Sequence, residues 1–209
     1  MKICDNFDNI YPLLLFNNEG DYYIVKILMR NKKDNNQDSK YNYYLKNRRN
    51  NFADATPKVF YLFSKDDLYK YKDEMIALSE LYNARVYIYL QRKNLNFTYK
   101  NLLKSLSNNF FDNITPKDLE GFWFDNVCEY SIDDKYKYLV DLDKEYLSYR
   151  DYIYNYLQKY NSEIIELKSL DGIHLIIDNI DEFDFQSKFP DIKLHINRPT
   201  LLYYKSDIE

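Results

Sequence analysis

Residues 137–177 read KYLVDLDKEYLSYRDYIYNYLQKYNSEIIELKSLDGIHLII, and the reading of this stretch decides the fold. KYLVDLD (137–143) and SEIIELK (162–168) are short apolar runs that predict strands, and the residues between them predict a helix over 146–160. Leu170-Asp171-Gly172 then turns the chain into a third strand, IHLII (173–177). Working outward, a short helix over 181–188 leads to strands DIKLH (191–195) and TLLYY (200–204). Upstream, YYIVKILMR (22–30) and KVFYLF (58–63) read as paired strands joined by a long polar connection, 31–57. Ser64 with Asp67 three residues on opens a helix over 65–82, whose Leu68, Tyr71, Met75, Leu78, Leu81 and Tyr82 recur at three- and four-residue spacing. ARVYIYL (84–90) reads as a buried strand, QRKN as a connection, and Thr98–Ser107 as a helix with Leu102, Leu103 and Leu106 on one face. Thr115-Pro116 predicts a short third helix there.

The predicted class is therefore α+β, with mixed or antiparallel sheets and helices packed on them. The polar run EYSIDDKYK marks a boundary between an N-terminal α+β lobe, 1–130, and a C-terminal α+β lobe, 131–209; one continuous domain is the alternative.

A chain of 209 residues can bury a sizeable core without staples. No apolar run reaches the roughly 18–20 residues a membrane-spanning helix needs, and the first residues lack the pattern of a secretory signal, so a cytoplasmic protein with no membrane partner is expected. Cys4 and Cys128 are the only cysteines, which rules out a disulfide framework; both read as reduced and buried. With 24 Tyr and 13 Phe, most aromatic rings must serve the core and half-buried surface rather than stack on bases. A net charge of −4 leaves no global footprint for duplex nucleic acid, so any phosphate contact has to be local.

The chemistry-bearing residues gather in the last third. Strand alternation puts Asp141 and Asp143 on one face and Leu142 on the other. Two carboxylates so placed repel each other, and Mg²⁺ or Mn²⁺ would relieve the repulsion; two solvated acids at a strand end are the plain alternative. His174 follows Gly172 inside an apolar strand and can face the same groove, either as a functional group or as a satisfied structural histidine. The cations Arg85, Arg92, Lys168, Lys193 and Arg198 are candidates for phosphate or nucleic-acid contacts, with Lys144 and Arg150 nearby. Lys32, Lys33, Arg48 and Arg49 in the long connection could form a nonspecific nucleic-acid arm. Only 3 glycines are present, so glycine-rich phosphate loops are hardly available, and no zinc spacing or serine nucleophile motif occurs. KSLDG (168–172) has one residue too many for the Lys-x-Asp-Gly motif of nucleotidyltransferase ligases, and His174-Leu-Ile and His195-Ile-Asn lack the hydroxyls of two-histidine phosphoesterases.

The order of YLVDLDKE (138–145), helix, strand and SLDGIHLII (169–177) resembles the catalytic core of the archaeo-eukaryotic primase superfamily, including the primase-polymerases of phages and plasmids. The resemblance implies that Asp141 and Asp143 hold metal ions, that His174 contacts a nucleotide's triphosphate, and that a third acid on a later strand completes the site. Asp191 would be that acid, but it precedes its strand, and the in-strand position holds Lys193, which would neutralise the aspartates and favour binding without catalysis. NARVYIYL, DGIHLII and NRPTLLYY also resemble a family of uncharacterised phage proteins, which implies no activity. The expectation is a phage or mobile-element protein that binds nucleotide or nucleic acid and catalyses metal-dependent nucleotidyl transfer if its site is complete. The alternative is a noncatalytic protein, in the manner of an anti-CRISPR, that uses an acidic, tyrosine-rich surface against a host defence nuclease.

Overall fold

The computed structural model describes residues 2–30, 54–108, 119, 123, 137–196 and 198–206. In chain order these form β1 (Lys2–Asp5), α1 (Phe7–Ile10), a 3-10 turn (Tyr11–Leu13), β2 (Asp21–Arg30), β3 (Asp54–Leu62), α2 (Lys65–Lys70), α3 (Lys72–Tyr82), β4 (Arg85–Asn94) and α4 (Leu95–Asn108). There follow β5 (Tyr138–Asp143), a 3-10 helix (Lys144–Tyr149), α5 (Arg150–Leu157), β6 (Ile165–Lys168), β7 (Gly172–Ile177), α6 (Glu182–Lys188), β8 (Lys193–Ile196) and β9 (Thr200–Ser206). The class is α+β, and both sheets are antiparallel.

Local chemistry accounts for the boundaries. Ser64 accepts from the Asp67 amide while Asp67 accepts from the Ser64 and Phe63 amides, so α2 starts with its first donors satisfied. The helix expected over 65–82 is interrupted at Tyr71, where α2 ends and α3 begins. Asn83 ends α3 in the left-handed conformation (φ 46°), which an asparagine tolerates. β4 runs on through Gln91–Asn94, expected as a connection, because these residues pair with the start of β2, Tyr22 lying opposite Lys93. The short helix expected at Thr115, the long connection as far as residue 53, and Cys128 lie outside the described residues.

The first sheet has the order β1-β9-β4-β2-β3. One face buries Val25, Ile27, Val86, Ile88 and Leu202 under α1, α2 and α3, with Phe7, Ile10, Leu68 and Met75 filling the core. Its other face carries a smaller cluster of Tyr22 and Ile24 with Val59, Tyr61, Leu95 and Trp123.

The second sheet has the order β6-β7-β5-β8, built by the chain sequence β5-α5-β6-β7-α6-β8. Two strand–helix–strand units in this arrangement make a split βαβ, or ferredoxin-like, layer. One face buries Val140, Leu142, Leu175 and Ile177 against Ile153, Tyr156 and Leu157 of α5 and Phe185 of α6. The opposite face divides along its length. At one end Leu139, Leu167 and Ile176 join the core of the first sheet. At the other end the strands carry polar residues, and the candidate site lies there.

Asn6 ties the two sheets together. Its buried side chain donates to the carbonyls of Lys168 on β6 and Leu201 on β9, both at 2.8 Å, and accepts from the Lys168 amide at 2.9 Å. No helix among the described residues is long and apolar enough to cross a membrane.

Candidate functional site

Register places the site. Asp141 on β5 lies directly opposite His174 on β7 and, on its other side, opposite Lys193 on β8; Asp143 lies opposite Gly172. Directly opposed residues of antiparallel strands share a face, so Asp141, Asp143, His174 and Lys193 all point the same way. Gly172 is required where it stands: a Cβ there would come within 1.8 Å of the Leu142 carbonyl oxygen, so only glycine lets β7 approach β5 this closely.

The contacts follow from that placement. His174 Nε2 stands 3.4 Å from Asp141 Oδ1, and both side chains are largely shielded, at 14% and 21% exposure. His174 Nδ1 stands 3.0 Å from the hydroxyl of Thr200, a buried residue at the start of β9 in the other sheet. A lone pair on Nε2 would face a carboxylate, so the Nε2 atom carries the proton; in the neutral ring Thr200 then donates to Nδ1. The hydrogen bond from His174 holds the Asp141 carboxyl below its usual range against the opposing effect of burial, with the charges of His174 and Lys193 adding to it. Lys193 Nζ lies 3.0 Å from Asp143 Oδ2, and this pair is open to water, at 60% and 42% exposure. Asp143, followed by Asp141, raises the Lys193 pKa. His195, two residues along on the same face of β8, is held below its usual pKa by burial and then by the charge of Arg198.

Asp141, Asp143, His174 and Lys193 are thus brought together, and Asp191 stands apart. It sits in the exposed turn before β8 and, among the described residues, makes no hydrogen bond or ion pair with Asp141 or Asp143. It does approach Tyr146, whose pKa is raised by burial and then by the charges of Glu145, Asp191 and Asp143. Among the described residues no three His, Cys, Asp or Glu side chains converge as ligands of one ion. Two carboxylates on one strand face still suit a hydrated Mg²⁺ or Mn²⁺, which commonly takes one or two carboxylates and completes its shell with water and phosphate oxygens. Lys193 would have to leave Asp143, and an ion pair this exposed to water holds its partners only weakly.

The remaining cations are distributed. Lys168 lines a groove beside Gly172, and Arg198 is exposed just before β9. Arg150 is engaged by Glu166 at 2.6 and 2.8 Å and by Asp151 at 2.8 Å. Arg85 and Arg92 belong to the first sheet. Arg85 lies over the Tyr204 ring at 5.3 Å and donates to the Tyr87 hydroxyl, and Arg92 forms a shielded ion pair with buried Asp21 at 3.4 Å. The proposed arm residues Lys32, Lys33, Arg48 and Arg49 lie outside the described residues.

The sequence alone did not point to Thr200 or place His195 beside the site. Nothing in NRPTLLYY marks its threonine as the partner of a histidine 26 residues away. His195 could have been placed from its two-residue spacing to Lys193, once β8 was known to flank β5. Comparison with known protein families, curated proteins and solved structures finds no match.

Proposed function

We propose that this protein binds a nucleotide or nucleic acid through a primase-polymerase-like site on the open end of its second sheet, with a divalent ion as cofactor. The observation that carries the reading is the cross-strand row His174–Asp141–Lys193, with Asp143 one step along the same face. Asp141 and Asp143 would hold Mg²⁺ or Mn²⁺, which supplies Lewis-acid stabilisation of charge on a phosphoryl oxygen. His174, carrying its proton on Nε2, orients Asp141 and can turn that donor to a phosphate oxygen. Lys193 occupies Asp143 in the resting site and is itself a phosphate ligand once displaced. Nucleotidyl transfer is the reaction this set would serve if Asp191 swings in to give a third carboxylate.

Calorimetry with Mn²⁺ and ATP tests the reading. Binding by the wild type that vanishes in Asp141→Ala/Asp143→Ala supports it; equal binding in both, or none in the wild type, overturns it.

The Lys193–Asp143 pair favours a second reading, a noncatalytic phage-encoded protein whose aspartates are structurally neutralised and whose partner is a host defence nuclease. Its mark would be Asp143→Ala and Lys193→Ala variants that retain the partner interaction and bind no metal in any form.

A further inference from the structure

A groove of about 380 Å³ runs beside Gly172, between β1, the start of the 3-10 helix after β5, and the β6–β7 turn. Lys2, Lys144 and Lys168 line it, with Ser169 and one acid, Asp171. Among the described residues neither Lys144 nor Lys168 makes an ion pair, and the one contact across the groove, Lys2 to Asp171, is long at 3.5 Å and exposed at both ends. Three ammonium groups against one carboxylate leave a local positive charge on a chain whose net charge is −4. The wall is firmly placed as well, since the Lys168 amide and carbonyl are both bonded to buried Asn6. Lys144 directly follows Asp143, so the groove adjoins the carboxylate pair.

We propose that this groove is a phosphate-binding site, and that Lys2, Lys144 and Lys168 receive the phosphates of a nucleotide or of a nucleic-acid strand. Lysines act here as point charges, for which phosphate is a matching ligand, and their three charges outnumber the one carboxylate, Asp171, that lines the groove. The proposal rests on the nucleotide-binding reading only for the identity of the anion; it requires no metal ion.

The test uses two probes without divalent ions, inorganic tripolyphosphate by calorimetry and a fluorescein-labelled single-stranded oligonucleotide by anisotropy. The proteins are the wild type, Lys2→Gln/Lys144→Gln/Lys168→Gln and Asp141→Ala/Asp143→Ala. All three lysines are exposed, so the triple variant keeps its fold, which circular dichroism verifies. The expected result is roughly a tenfold or greater loss of affinity in the triple variant, with a salt dependence shallower by up to about three ions for the strand. The aspartate variant should bind both probes at least as well as the wild type, so loss of the metal reading and loss of the groove are separable. Tripolyphosphate binding alone assigns the groove to a free nucleotide's phosphates, and oligonucleotide binding alone assigns it to a strand. Equal binding by the triple variant and the wild type, or no binding of either probe by the wild type, overturns the proposal.

Discussion

His174 shows what a single residue needs from two directions. Its Nε2 faces Asp141 on the neighbouring strand, and its Nδ1 faces Thr200 from the other sheet. Thr200→Val should therefore release the ring: at a pH where the imidazole is neutral, ¹⁵N spectra are expected to show one Nε2-protonated tautomer in the wild type, a mixture in the valine variant, and recovery in Thr200→Ser. Asp141 titrates in the opposite sense to a group stabilised by its proton. Its folded pKa lies below the unfolded value, so its contribution is complete above the unfolded carboxylate pKa of about 4 and fades as pH falls through the folded one. The stability gap between wild type and Asp141→Asn, measured by urea denaturation, should be largest near neutrality and close in strong acid; a gap independent of pH would contradict this. Cys4 illustrates the bland outcome. Burial pushes its thiol up to about 11, so it should react only slowly with a thiol reagent in the native state at pH 8 and rapidly once unfolded. The identity of the Asp141–Asp143 pair was legible because strand alternation needs only neighbouring residues. The partner of His174 was not, because no local rule connects residue 174 to residue 200.

At the scale of elements, β7 depends on its first residue. With the Leu142 oxygen 1.8 Å from where a Cβ would stand, Gly172→Ala cannot keep the β5–β7 register without a backbone shift. A loss of about 3 kcal/mol or more is expected in chemical denaturation, together with weaker Mn²⁺ binding, because Asp141 and His174 are opposed only in that register. Ser64→Ala removes half of the capping box on α2 and should cost about 1 kcal/mol, or roughly 2–4 °C in melting temperature. The capping box itself could be read from Ser64 and Asp67, and the structure forms it. The break at Tyr71 could not, because the apolar spacing continues through it, although Tyr71 departs from regular helical dihedrals (φ −98°, ψ 0°) and caps one helix while starting the next. β1 likewise went unread: Lys2–Asp5 is too short to show a period, and it becomes a strand only because β9 pairs with it.

For the molecule as a whole, the joint between the sheets is the feature that matters most. Asn6 satisfies three backbone groups drawn from β6 and β9, and Leu139, Leu167 and Ile176 extend one apolar core across both sheets. Asn6→Ala removes these three bonds, and among the described residues only the Lys168 carbonyl keeps another side-chain donor, the Cys4 thiol at 2.9 Å. The loss costs about 1–3 kcal/mol for a buried group left unpaired and should lower the urea midpoint far more than substitution of an exposed asparagine such as Asn9. By itself the sequence determined the α+β class, most strand and helix positions, and the pairing of Asp141 and Asp143 on one face, since periodicity, capping and turn chemistry act over a few residues. Only the tertiary structure decided the strand order β6-β7-β5-β8, the opposition of Asp141 to both His174 and Lys193, the recruitment of β9 into the first sheet, and the meeting of Lys2 with Lys144 and Lys168. Those are contacts between segments far apart in the chain, and they are selected by burial of the combined core rather than by any preference the separate segments carry.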